Sequence, residues 1–162
     1  MDRVPPDEQP ATVDQSRDVS LAVGAAITGL IVALAAFNWF LAGHVTSLVL
    51  GHFGYHGDVL DVGTISSEAA LRVAYVATAA YLAVIAAAAM CLGAALAPRR
   101  PLVHGVIAGL TPFVLTAIEA WPPDQAPEFG LLLASLAGMV LGFVVARRMG
   151  RRRALRRRLT AV

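Results

Sequence analysis

The chain contains no lysine and a single cysteine, Cys91. One cysteine excludes an intrachain disulfide and any cysteine-based metal cluster. Within an apolar run, Cys91 is expected to act as a small hydrophobe. Charge is scarce: 15% of the 162 residues are charged and 57% are hydrophobic, with a mean hydropathy of +0.68. That balance is wrong for a soluble domain of this size and points to a membrane protein. Also missing are a P-loop, a GxSxG, a strand-linked GxGxxG, an HExxH and any paired carboxylates inside the apolar runs. Phosphate, acyl-transfer, dinucleotide and zinc-protease chemistry therefore have no anchor in a motif. No internal repeat relates the two halves, which argues against an inverted-repeat transporter.

What is present is arginine. All thirteen basic residues are arginine, and the lack of lysine beside abundant alanine matches coding in a high-GC bacterial genome. Eight of the thirteen, Arg147, Arg148, Arg151, Arg152, Arg153, Arg156, Arg157 and Arg158, directly follow the apolar run 129–146. A dense basic block against an apolar span marks a cytoplasmic helix end. Three further apolar runs, at about 21–42, 69–97 and 102–120, are long enough to reach across a hydrocarbon layer of roughly 30 Å at ~1.5 Å per residue.

The sequence thus predicts an all-α integral membrane protein, a bundle of four transmembrane helices with both termini cytoplasmic. Residues 1–19, polar and carrying Pro5, Pro6 and Pro10, read as a disordered cytoplasmic tail. Their acidic start does not suit a secretory signal. Residues 20–147 are the transmembrane domain and 148–162 a basic cytoplasmic tail. With Arg147 onward inside, Arg99, Arg100, Arg3 and Arg17 also fall inside, and only Arg72 does not. The expected location is a bacterial plasma (inner) membrane. Residues 43–68 form an external loop, in which the apolar stretch 44–50 either extends the first helix or lies along the interface.

Two GxxxG patterns, Gly105 with Gly109 and Gly138 with Gly142, fall in the cytoplasmic halves of the third and fourth spans. Small residues let helix backbones approach closely. The leading reading pairs the two motifs on one tight hairpin; the others are an oligomer face and chance.

Polar residues supply three candidate sites. Asn38, Arg72 and Glu119 share one depth in the outer third of the membrane, where an arginine is costly unless it snorkels or is paired. The expected contact is Arg72 with Glu119, read as an interhelical clamp before a solute vestibule. Pro112 should kink the third span, with Thr111 or Thr116 satisfying the freed carbonyl. His44, His52, His56 and Asp58 could ligate a metal ion, although an exposed polar loop is the plainer reading. His104 reads as an interfacial residue. The arginine block is first a topology determinant and second a contact for anionic lipid head groups. No aromatics interleave with it, so specific nucleic-acid binding is not expected.

No cofactor is expected. The leading functional expectation is a small non-enzymatic membrane protein, an accessory or scaffold subunit of a cell-envelope complex, with a membrane-protein partner or a homo-oligomer. A small transporter or channel-like protein comes next, and a membrane enzyme or metal-binding protein using the external histidines third.

Overall fold

The computed structural model describes residues 11–55, 68–97, 100–119 and 126–159, and side chains within 18–55, 68–97, 100–119 and 128–152. It is all-helical, with α1 over Ala11–His52, α2 over Glu68–Leu96, α3 over Pro101–Glu119 and α4 over Ala126–Leu159. Each of the four is long and apolar enough to cross a membrane.

Two helices run well past the spans read from the sequence. The first begins at Ala11 rather than at 21 and continues through 44–50 to His52. No proline follows Pro10 before that end. The polar residues near the end face their own helix: the Ser47 hydroxyl donates to the Gly43 carbonyl at 3.2 Å and that of Thr46 lies 3.5 Å from the Ala42 carbonyl. A Schellman motif then stops the helix. Gly54 takes φ +86°, its N–H bonds Gly51 at 3.0 Å, and the Tyr55 N–H returns to Leu50 at 3.1 Å. At the other end of the chain, α4 continues through the arginine block to Leu159, so the basic tail is largely an extension of that helix. Arginine is a good helix former, and no proline lies beyond Pro127 to stop it.

The third helix starts on a cap. Arg100 adopts φ 47°, its carbonyl accepts from the Val103 and His104 N–H groups at 2.9 and 3.3 Å, and Pro101 takes the first helical position, where its missing N–H costs nothing. Inside α3, Pro112 deprives the Ala108 carbonyl of its usual donor. Neither threonine answers it, contrary to the sequence expectation. Thr111 donates to Ile107 at 3.4 Å and Thr116 to Pro112 at 2.8 Å.

α2 is the hub. It packs against all three other helices, α3 also touches all three, and among the described residues α1 and α4 do not pack directly on each other. The glycines show why. A Cβ built on Gly138 would lie 2.1 Å from the Ala83 carbonyl oxygen, and one on Gly142 2.7 Å from that of Ala87. On Gly105 it would meet the Met90 carbonyl at 2.7 Å, and on Gly109 the Met90 Cβ at 2.9 Å. Both GxxxG motifs therefore face α2, with the α4 side chain of Met139 as a second neighbour of Gly109. The hairpin pairing of one motif with the other is replaced by two separate seams on the alanine-rich helix between them.

Size is distributed inside out. The buried set is rich in alanine, including Ala35, Ala70, Ala74, Ala86, Ala89 and Ala108, with Leu82, Met90, Pro112 and Ser135 the largest fully buried side chains. Large apolar groups point outward: Leu48, Ile118, Val76, Phe40 and Leu133 are each more than 60% exposed. An exterior this apolar is far beyond the patches of a water-soluble monomer, and a small-residue interior is how helices pack when lipid surrounds them.

Candidate functional site

The polar side chains inside the bundle mostly serve one purpose: they fasten α1. Its Thr28 hydroxyl donates to the Gly24 carbonyl at 2.9 Å and lies 2.6 Å from His104 Nδ1 on α3. With that proton committed to Gly24, the imidazole donates from Nδ1 to Thr28. The Trp39 indole N–H donates to Thr116 Oγ1 at 3.0 Å. Thr46 and Thr78 hydroxyls meet at 2.6 Å, and Thr78 passes its proton to the Ala74 carbonyl at 2.9 Å, which makes Thr46 the donor of the pair. The Tyr81 hydroxyl donates to Asn38 Oδ1 at 3.2 Å, while Asn38 Nδ2 donates to Leu34 at 2.9 Å. Among the described residues, every side chain-to-side chain hydrogen bond between two helices has α1 at one end. His104 is thus an interhelical partner, not only an interfacial residue. The signal that could have exposed these links is the recurrence of single hydroxyls and one indole on spans otherwise made of alanine, leucine and valine.

The residues singled out from the sequence are dispersed. Arg72 pairs within its own helix, with Glu68 at 2.5 Å, and both side chains are more than three-quarters exposed. Glu119 is elsewhere, on the wall of a cavity with Thr46 and Thr116. Asn38 keeps company with Tyr81. The Arg72–Glu119 clamp is therefore not formed: the two residues match in depth but not in rotation about their helices. Arg72→Ala should shift the unfolding midpoint by little, since an exposed i,i+4 pair is worth about 0.3–0.5 kcal/mol. Thermal unfolding in detergent would show it, and adding Glu119→Arg to Arg72→Glu should rescue nothing.

His44 stacks obliquely against Phe40, ring centres 6.1 Å apart, and His52 sits edge-on to Phe53. Eight positions separate them along one helix, about 12 Å of rise, so they cannot share an ion whose ligands lie ~2 Å from it. His56 and Asp58 lie outside the described residues, and no group of three or more metal-ligating side chains occurs among the described ones. Of the arginine block, Arg147, Arg148, Arg151 and Arg152 are exposed on α4; the side chains of Arg153, Arg156, Arg157 and Arg158 lie outside the described set.

The hollows among the described residues include three of note. One of about 260 Å³ lies at the bundle end remote from the arginines, lined by Trp39, Thr46, Thr78, Thr116 and Glu119. A groove of about 240 Å³ runs between α1 and α2, lined by Ile31, Ala35, Ile85, Ala88 and Ala89 among others, with Asn38 and Tyr81 at one end. A crevice of about 200 Å³ opens where α2, α3 and α4 come together beside Arg147 and Arg151. What these features define is a four-helix protein whose composition and surface suit a multi-pass membrane protein. No protein-family model, curated protein or solved structure matches the chain.

Proposed function

We propose that this is a non-enzymatic integral membrane protein of the bacterial plasma membrane, with both termini cytoplasmic, that serves as an accessory or scaffold subunit by docking a partner's transmembrane helix. The α1–α2 groove carries this reading. Three of its lining residues, Ala35, Ala88 and Ala89, are small, set among Ile31 and Ile85, and small residues admit a helix at short range. Its end holds a half-buried amide: Asn38 has two N–H donors and spends one on Leu34. In hydrocarbon an unspent donor is costly, so the groove suits a helix that brings an acceptor to that depth. Leu34, Val84 and Leu92, which also line it, are each about half exposed or more, so the groove opens outward.

A photoreactive side chain at exposed Ala88 tests the docking in native membranes. A discrete adduct with a second membrane protein, absent from the same probe at Ile118 and lost with Asn38→Leu, supports it. Adducts with lipid alone, or equal capture from both positions, remove it. A second reading, a small solute carrier, is favoured by the threonine-walled cavity with Glu119 on its wall. On that reading Thr78→Val and Glu119→Gln lower solute flux in liposomes, whereas a scaffold leaves flux at background.

A further inference from the structure

The crevice at the arginine end straddles the point where the chain changes from apolar to cationic. Its walls are Cys91 and Ala95 from α2, Leu102 from α3 and Ala146 from α4. Ala146 is the last residue of the apolar run and is 9% exposed. Immediately beyond it, Arg147 and Arg151 line the mouth. Their i,i+4 spacing sets both guanidinium groups on one face of α4. Among the described residues the one ion pair is Arg72 with Glu68, so neither mouth arginine has a carboxylate partner there.

We infer that this crevice is a binding site for one anionic phospholipid, its phosphate held between Arg147 and Arg151 and an acyl chain laid along Cys91, Ala95 and Leu102. The two halves of the site select the two halves of such a molecule. A volume of about 200 Å³ is far more than the roughly 10–15 Å³ that a single water needs, and its apolar walls offer a free phosphate nothing. A zwitterionic lipid brings its own cation to the arginines and cancels much of their pull. Guanidinium forks suit phosphate oxygens in bidentate geometry, and a basic pocket at the end of a helix bundle is where anionic head groups are held. The inference rests on the membrane placement proposed above and is independent of the scaffold role.

The test uses the purified full-length chain, with no partner present, and native mass spectrometry after exchange into phosphatidylglycerol or phosphatidylcholine. Phosphatidylglycerol should be retained in preference, one molecule per chain. Arg147→Gln with Arg151→Gln should weaken that retention by roughly ten- to thirtyfold, the size of two juxtamembrane charges. Arg148→Gln with Arg152→Gln removes the same charge on the same helix, but neither residue lines the crevice, and it should change retention less than about threefold, under ~0.7 kcal/mol. Gly150→Phe fills the crevice while leaving both arginines. A Cβ at Gly150 meets nothing within 4 Å, so the fold tolerates the change and lipid retention should fall. Equal retention of the two lipids, equal loss in the two arginine pairs, displacement by millimolar inorganic phosphate, or full retention by the Gly150→Phe chain each overturns the site. Circular dichroism of every variant separates loss of lipid from loss of fold.

Discussion

Gly138→Ala is expected to push α4 off α2 and to destabilise the bundle by about 2–3 kcal/mol, the upper part of the range for overpacking. The added Cβ would stand 2.1 Å from the Ala83 carbonyl oxygen and 2.6 Å from its Cα and carbonyl carbon. Those are backbone atoms of a continuous helix, so no rotamer change relieves them. The helices must separate, and a radial gap of only ~0.5–1 Å forfeits a quarter to a half of the dispersion energy at each contact along the seam. In lipid that energy is what holds helices together. Gly130→Ala on the same helix is the control. Its Cβ meets nothing within 4 Å, and it should gain up to ~1 kcal/mol from helix propensity alone. Reversible unfolding in mixed micelles compares the two, and equal stability of the two variants would refute the close α2–α4 approach.

Met90→Ala should be nearly as damaging, for the opposite reason. Met90 is 0% exposed, and Gly105, Gly109 and Gly142 all close on it, two from α3 and one from α4. It is the point at which the two glycine seams meet on α2. Alanine keeps the Cβ that Gly109 and Gly142 approach but loses the thioether beside Gly105, and leaves a void at a position with no exposure. Large-to-small changes of this kind cost about 2–5 kcal/mol in water-soluble cores. The lower end, about 2 kcal/mol, applies in lipid, where the transfer part of the loss is small. Met90→Leu keeps the volume and should cost less than ~1.5 kcal/mol. The same micelle titration reads both, and an alanine variant no weaker than the leucine one would show that the site is not packed as described.

The number of helices was legible because each apolar run is long and its ends are punctuated by proline, glycine or charge. Their ends were less so. The stretch 44–50 left two readings open, an extension of the first helix or a segment along the interface; the first holds, with Ser47 bonding to the preceding turn as α1 continues to His52. The glycine motifs were legible as places of close approach, because spacing by four puts two small residues on one face. Spacing does not say which neighbour that face meets. The alanine-rich run of α2 hid its central place because its buried alanines and its outward-facing valines and leucines are alike apolar, so no polar stripe marks the packed side. Asn38, Arg72 and Glu119 failed as a cluster because hydropathy fixes depth, while each residue turns the helix by about 100° and leaves azimuth free. The Thr28–His104 and Trp39–Thr116 links depend on that azimuth and could not be read from the sequence.

One feature of α1 bears on how such a chain is made. α1 leaves the ribosome before the helices to which it is fastened: Thr28 and Trp39 wait for α3, and Asn38 and Thr46 for α2. In the meantime three of these four groups already have a partner one turn back, at Gly24, Leu34 and Ala42. The exception is the Trp39 indole, a group at home at the edge of a bilayer. Beyond the second N–H and the Oδ1 of Asn38, α1 alone therefore carries little unmet hydrogen-bonding demand. Its polar groups do not compel early assembly; they act as a latch that closes once the later spans arrive.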